Sequence, residues 1–410
     1  MTTAPRSVVV VGASLAGHAT ARALRTQGFD GRITMIGDEP ERPYDRPPLS
    51  KEFLAGTIDE AALSLEGIDE NLGLDWELGT PATGLDIASR TVHLADGRSI
   101  DGDHVVIATG SHARRMPSAP PGVHTVRTLA DARVLKADLL PGSRLVLIGA
   151  GFVGAEIAST AVTLGLDVTV LEAAPTPLAG PLGVEMGAAV AALHQANGVT
   201  LLCGVPVAGL VGSDRVTGVE LADGRVLPAD VVVAGIGAVP AVGWLAGSGL
   251  DLSSGVVCTA HGATGAPGIW SVGDCSAWYD EHRGREHRVE HWTDSRERPV
   301  ALAKALLGEP GGVLRAPYFW SDQYGVRIQF AGRRTGAEDI TVEAGSAESG
   351  DLVAVYRRGP EIVAVLGMNQ PKLFMRHRKS LPASSALAGP AQDSRTVPPA
   401  PATAPAAVPG

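Results

Sequence analysis

Val8-Val9-Val10-Val11-Gly12-Ala13-Ser14-Leu15-Ala16-Gly17 reads as a short β-branched strand running into a turn of small residues. A helical stretch through Arg25 follows, stopped near Gly28, and a second strand over residues 33–36 ends at Asp38. The same order of events returns as Leu145-Val146-Leu147-Ile148-Gly149-Ala150-Gly151-Phe152-Val153-Gly154. There the helix runs to Leu164, and a strand over residues 168–171 ends at Glu172. Each copy is a strand, a Gly-rich turn, a helix and a strand, with an acidic residue about twenty positions on, the opening of a Rossmann half. Small residues in the turn let backbone N–H groups approach a pyrophosphate, and the helix N-terminus favours its charge. A single such turn is a weak signal. Two in matched context predict two dinucleotide sites in one chain.

A second duplication supports the first. Residues 92–110 (VHLADGRSIDGDHVVIATG) align without gaps on residues 219–237 (VELADGRVLPADVVVAGIG). In each copy an Asp-Gly turn joins alternating strands, and a buried apolar strand then ends at glycine. The expected fold class is α/β, with two Rossmann-like dinucleotide-binding domains, the second inserted into the first. The first domain takes residues 1–112 and 241–314, including a strand over residues 269–272, and the second takes residues 113–240. Residues 315–382 read as a small α+β domain, with short strands over 317–331, 340–342, 352–356 and 362–367 and a helix near 373–377. Residues 383–410 are an Ala/Pro-rich stretch with hardly a large apolar side chain, expected to be disordered.

Composition narrows the function. The 410-residue chain is 45% hydrophobic and 19% charged, with a net charge of −10, so a general nucleic-acid binder is not expected. No apolar run reaches the length of a membrane span and no signal peptide opens the chain, which predicts a soluble, cytoplasmic protein. Cys203, Cys258 and Cys275 form no C-x-x-C or C-x-x-x-x-C pair, which argues against dithiol–disulfide chemistry and a four-thiolate metal cluster. No metal site is expected. The His-rich stretch over residues 281–291 reads as a solvated loop.

The two turns differ. Ser14 stands where the first would carry its middle glycine, a small side chain that still permits close approach. Asp38, or Glu39 beside it, is expected to accept from the adenine-side ribose hydroxyls. In the second copy Glu172 is followed by Ala173 and Ala174 rather than arginine. A carboxylate there accepts from a ribose 2′-OH and repels a 2′-phosphate, which predicts NADH over NADPH.

Further motifs carry a resemblance. They are Pro43-Tyr44-Asp45-Arg46-Pro47-Pro48-Leu49-Ser50-Lys51, Ala108-Thr109-Gly110, the run GAGFVGAEIA from Gly149, Trp270-Ser271-Val272-Gly273-Asp274-Cys275 and Phe319-Trp320-Ser321-Asp322-Gln323-Tyr324. With them the chain, from Val8 to about Leu381, resembles the FAD-containing, NADH-dependent ferredoxin reductases of bacterial cytochrome P450 and aromatic-ring dioxygenase systems. That is the putidaredoxin reductase-like and rhodocoxin reductase-like group of the pyridine nucleotide-disulfide oxidoreductases, with a glutathione-reductase-like fold.

The resemblance implies FAD on the first turn and NADH on the second. Family similarity assigns Ala16, Asp38, Lys51, Ala82, Arg127, Asp274 and Trp292 to FAD. Gly12, Ser14, Leu15, Gly17, Glu39, Arg46, Ala108, Thr109, Gly110, Gly273, Glu290, His291 and Trp320 are expected beside them. Gly149, Gly151, Phe152, Val153, Gly154, Glu156, Glu172, Gly235, Ile236 and Gly237 are the NADH candidates. Trp292 precedes a helix expected over residues 293–307, whose N-terminus could face the flavin pyrimidine edge. Lys51 and Glu156, the latter read in the first turn of its helix, form the pair expected to tune and position the reacting rings. No protein nucleophile or essential general base is expected, because the redox chemistry belongs to the cofactors.

The implied function is a ferredoxin–NAD(+) reductase: hydride from NADH to FAD, then single electrons to a [2Fe-2S] ferredoxin that serves a cytochrome P450 or other oxygenase. Arg296, Arg298, Arg315, Arg327, Arg333 and Arg334 are candidates for a basic patch that steers an acidic ferredoxin. The alternatives are an NADH:rubredoxin reductase, an NADH oxidase and an apoptosis-inducing-factor-like flavoprotein. Residues 38–56 carry no cysteine, which counts against the oxidase.

Overall fold

The computed structural model describes residues 5–281, 284–312 and 314–383. Its first five-stranded sheet is parallel throughout and runs Ile269–Ser271, His104–Ile107, Ser7–Val11, Arg32–Ile36, Leu74–Glu77. The central strand reads as an unbroken valine run because both its faces are covered, and Val8, Val9, Val10 and Val11 are all buried. Helix Leu15–Thr26 packs on helix Asp294–Leu306 over this sheet, so a residue near 15 and one near 294 share an edge of the molecule. The helix expected over residues 293–307 is thus one residue shorter at each end.

The second five-stranded sheet repeats the plan, in the order Thr200–Cys203, Asp167–Glu172, Arg144–Ile148, Val231–Ala234, Val123–His124. In each sheet an antiparallel three-stranded layer is inserted in the chain, before His104–Ile107 in the first and before Val231–Ala234 in the second. These are Ala82–Asp86 with Thr91–Leu94 and Ser99–Asp101, and Val207–Val211 with Gly218–Leu221 and Val226–Pro228. The chain passes between the two sheets through a two-stranded ribbon, with Ser111–Ala113 antiparallel to Ala238–Pro240.

The third sheet is antiparallel, in the order Tyr318–Gln323, Val326–Gly332, Glu361–Met368, Asp351–Arg358, Asp339–Ser346. Its faces are both apolar. One packs Ile328, Phe330, Leu352, Tyr356 and Leu366 against Leu182, Met186, Val190 and Leu193 of the second unit. The other lies under helix Pro371–Ser380, whose Phe374 is fully buried with Val353, Val355 and Val365. Burying a large apolar side chain stabilises by about 1.5–3 kcal/mol, so these clusters fasten the third sheet firmly. The helix begins earlier and ends later than the 373–377 expected from sequence, with Pro371 at its first position. The expected disordered stretch lies outside the described residues from 384 onward.

Candidate functional site

Both Gly-rich turns sit at the C-terminal edges of their sheets and are built alike. Gly12 N–H donates to Ile36 O and Gly149 N–H to Leu171 O, each at 2.7 Å. Gly12 has φ +118°, and a Cβ there would lie 2.1 Å from Ala108 O. Gly149 has φ +100°, with a Cβ 2.4 Å from Gly235 O. Glycine is demanded twice over, by dihedral and by space. A Cβ on Gly151 would meet nothing within 4 Å, so that side of the second turn is open.

The helices that leave these turns, Leu15–Thr26 and Phe152–Thr163, have no side-chain cap on their first N–H groups. Helix Leu129–Asp138, by contrast, is closed by a capping box between Thr128 and Asp131. Uncapped, positive helix ends at two Gly-rich turns suit the pyrophosphates of two dinucleotides.

Around the first turn, Asp38 is exposed, and its Oδ1 accepts from Glu39 N–H at 3.0 Å. Glu39 instead pairs with Arg46 at 2.6 Å and accepts from Tyr44 OH. Arg46 Nε also reaches Ser14 Oγ at 3.3 Å, so the serine of the turn is anchored from the Pro-rich loop. Asp274 is held by Arg127 at 2.8 Å and by Ser111 Oγ at 3.3 Å. Gly273 stands against the helix start, where a Cβ would lie 2.8 Å from that of Ala16. Ala108 is buried, Thr109 Oγ1 donates to Ala241 O at 2.8 Å, and a Cβ on Gly110 would stand 3.5 Å from the Arg127 guanidinium. Ala82 opens its strand and packs on the edge of the first core.

In the second unit Glu172 bonds back to its own turn, accepting from Ala150 N–H at 3.0 Å and Ala174 N–H at 2.9 Å. Its carboxylate therefore stands at the end of the strand beside the open Gly151. Phe152 packs on Phe319 with ring centroids 4.6 Å apart, and Val153 is exposed. Phe319 also borders a cleft of about 890 Å³, lined among others by Gly180, Pro181, His291, Phe330 and Arg334. His291 stands 3.7 Å from Asp294, too far for a hydrogen bond, and burial pushes its pKa down to about 4. The ring is neutral at pH 7. Glu290 turns outward and pairs with Arg288.

Glu156 is a buried carboxylate. It lies in the second turn of helix Phe152–Thr163, not the first as the sequence reading placed it, because the helix begins at Phe152. Lys51 Nζ stands 2.9 Å from Glu156 Oε2, Ser50 Oγ donates to the same oxygen at 2.6 Å, and Ser321 Oγ donates to Oε1 at 2.8 Å. A carboxylate and an ammonium are here removed from water together, which is tolerable only because each oxygen has a donor.

On the opposite face of the strand that carries Ser321, Trp320 meets Trp292 edge to face at 5.4 Å, both rings half-buried. Trp292 Nε1 donates to Asp45 Oδ1 at 2.6 Å, tying the Pro-rich loop to the start of helix Asp294–Leu306. Burial raises the Asp45 carboxyl above its ordinary range, and the indole N–H pulls the other way.

Three of the six arginines proposed for a basic patch do not serve it. Arg298 pairs with Asp294, Arg333 with Asp280, and Arg334 donates to the carbonyls of Ala179 and Gly180. All three are partly buried: Arg333 and Arg334 tie separate parts of the chain together, and Arg298 pairs within its own helix. Arg296, Arg315 and Arg327 are exposed, with Arg296 over the Trp292 ring at 4.8 Å and Arg327 near Trp320 at 5.8 Å. Sequence reasoning passed over Ser50, Ser321 and Asp45, although each lies inside a quoted motif. It also missed Lys372, Met375, Arg376 and Lys379, exposed on the last helix at i, i+3, i+4 and i+7. Of the His-rich stretch, Arg285–Arg288 forms a strand paired with Ser276–Asp280, and residues 282–283 lie outside the described residues.

Two Rossmann-type turns, with a buried Lys–Glu pair bridging their units, define a two-dinucleotide oxidoreductase. The chain belongs to the pyridine nucleotide-disulphide oxidoreductase family, which residues 6–298 match, and residues 318–394 match the reductase C-terminal family. It is 37% identical over 384 residues to the ferredoxin reductase component of chlorobenzene dioxygenase from Cupriavidus sp. (strain PS12), covering 93% of each chain. It is 36% identical over 381 residues to rhodocoxin reductase from Rhodococcus erythropolis, covering 92% of this chain and 89% of that one. The reductase in the covalent putidaredoxin reductase–putidaredoxin complex superposes with a TM-score of 0.88 at 34% identity, over 92% of this chain and 93% of that chain.

Proposed function

We propose that the chain is an FAD-dependent ferredoxin–NAD(+) reductase that oxidises NADH and passes electrons to a [2Fe-2S] ferredoxin serving a cytochrome P450 or another oxygenase. The observation that carries this reading is the strand Tyr318–Gln323. Its Ser321 reaches the Lys51–Glu156 pair, while Trp320 on its other side joins Trp292, both half-buried and flanked by exposed arginines. A donor site and an acceptor face thus lie one residue apart. When bound, FAD supplies the conversion between the electron pair of NADH and the single electrons an iron–sulfur cluster accepts.

The residues divide accordingly. Ser14, Leu15, Ala16 and Gly17 offer backbone donors to the FAD pyrophosphate, Gly12 makes the turn that lets it approach, Asp38 is free to accept from the adenosine ribose, and Asp274 with Arg127 lines the ribityl side. Gly149 to Gly154 and Gly235 to Gly237 receive NADH, with Glu172 selecting the unphosphorylated ribose. Phe152 and Phe319 form an apolar contact between the second unit and the third sheet. Lys51 and Glu156 orient the reacting rings and hold no transferable proton of the reaction.

The acceptor face is basic on an otherwise acidic chain. Arg296 and Arg327 flank the two tryptophans, Arg378 covers Tyr318 at 4.0 Å, and the last helix presents Lys372, Arg376 and Lys379. Such a face attracts an acidic ferredoxin. Among the described residues no helix is long and apolar enough to cross a membrane, and Cys203, Cys258 and Cys275 are free thiols, which suits a cytoplasmic enzyme. The test is anaerobic: protein reconstituted with FAD and bleached by NADH should regain its absorbance as ferredoxin is added. A protein that NADH does not bleach, or that ferredoxin does not reoxidise, contradicts the proposal.

A further inference from the structure

Glu156 is 6% exposed and sits where three parts of the chain meet. Its donors are Ser50 and Lys51 from the loop of the first unit and Ser321 from the third sheet, while Glu156 itself belongs to the second unit. The terminal torsion of a glutamate is broad, so the side chain's own rotamer leaves the plane of the carboxylate loose. Here the donors set that plane.

Ser321 is directional. Gln323 Nε2 donates to Ser321 Oγ at 3.1 Å, which occupies an acceptor site of the hydroxyl and leaves its single proton for Glu156. Ser321 is 0% and Gln323 1% exposed, so water does not compete for either group from outside. Strand alternation sends residues 319, 321 and 323 inward, while Tyr318 and Trp320 pack on the opposite side.

We infer that Ser321, oriented by Gln323, is a positioning residue for NADH oxidation, holding the Glu156 carboxylate in the plane in which it meets Lys51. This rests on the reading of the chain as an NADH-oxidising flavoprotein. The third sheet is thereby part of the electron-donor site as well as of the acceptor face. Ser321 is not needed as glue between the second and third units. Tyr324 N–H donates to Ser159 Oγ at 2.7 Å, His194 Nδ1 meets Tyr324 OH at 2.7 Å, and the apolar cluster around Tyr356 already fastens that boundary. Loss of the Ser321 hydroxyl therefore frees a carboxylate rather than a domain.

The test compares full-length, FAD-loaded wild type with Ser321→Ala, Ser321→Thr and Gln323→Glu. Reduction by saturating NADH is followed by stopped flow, and NAD(+) is titrated into the oxidised protein to read its affinity and the shift it causes in flavin absorbance. In Ser321→Ala the limiting reduction rate should fall about tenfold, since misplacement of a positioning group is felt in the rate. The NAD(+) affinity should stay within about twofold, because binding itself is not what the hydroxyl supports. The absorbance shift should change shape, reporting a moved ring. Ser321→Thr keeps the hydroxyl and should recover most of the rate. Gln323→Glu retains Ser321 but draws its proton away, and should be at least as slow as Ser321→Ala. The inference is overturned if Ser321→Ala matches wild type in rate and absorbance shift, or if its deficit is wholly explained by lost FAD or a lowered melting temperature. A wild type that NADH fails to reduce would overturn the underlying reading instead.

Discussion

Lys51 Nζ and Glu156 Oε2 meet at 2.9 Å although 105 residues of chain separate them and each belongs to a different parallel-sheet unit. The contact ties the two units together, and under the proposed function it sets the distance between their nucleotide sites.

Substituting Lys51→Met should therefore slow flavin reduction by NADH by about 10–100-fold, the cost of losing alignment and a local cation. Stopped-flow absorbance measures it. Glu156→Gln should act in the same direction and also lower the melting temperature, because Lys51 would then be a buried cation without its anion. An unaltered reduction rate in both would remove the pair from the mechanism.

Glu172 accepts two backbone N–H groups at the edge of the second turn, and no arginine follows it. Glu172→Arg should shift the ratio of kcat/KM for NADH over NADPH toward NADPH by about 10–100-fold, as repulsion of a 2′-phosphate becomes attraction. Steady-state kinetics with both nucleotides decides it, and an unchanged ratio would place the ribose elsewhere.

The exposed stripe Lys372, Arg376 and Lys379 predicts a salt-sensitive encounter with ferredoxin. Replacing all three by glutamate should raise the KM for ferredoxin about tenfold at low ionic strength and much less at high salt, since screening removes the difference. Reduction by NADH alone should be unaffected. If ferredoxin KM does not respond, the partner docks away from this helix.

Stability should fall with acid through His194. Burial holds its pKa near 4 against an ordinary 6.5, so below pH 6.5 the unfolded chain takes up a proton that the folded ring refuses. The stability is fully present above pH 6.5 and is lost as pH falls toward 4, by up to about 3 kcal/mol at 1.36 kcal/mol per pH unit. The difference between urea midpoints at pH 7.5 and pH 5 should be smaller in His194→Gln, which keeps a polar partner for Tyr324, than in wild type, with the remaining slope carried in part by His291. An equal slope in both would exclude His194 as the titrating group.

Much of this was legible in the sequence, for physical reasons. Gly12 and Gly149 are forced by backbone approaching backbone, so the residue type itself announces the turn. The Asp-Gly hairpins and the valine strand are equally local. Ser50 and Ser321 were not legible as ligands of Glu156, because their partner lies 106 and 165 residues away and a serine carries no sign of its acceptor. Charge alone also said nothing of direction: Arg298, Arg333 and Arg334 turn inward while Arg296 and Arg327 face out. The stripe on the last helix was missed because the helix was drawn too short, over 373–377, to include both Lys372 and Lys379.

The central claim is that electrons from NADH leave this chain singly, for a ferredoxin. Cytochrome c reduction by the FAD-loaded protein and NADH, measured with and without a [2Fe-2S] ferredoxin, tests it most directly. Ferredoxin should accelerate the reaction at least about tenfold, as expected for a docked carrier over a chance encounter. Equal rates with and without ferredoxin would contradict the account.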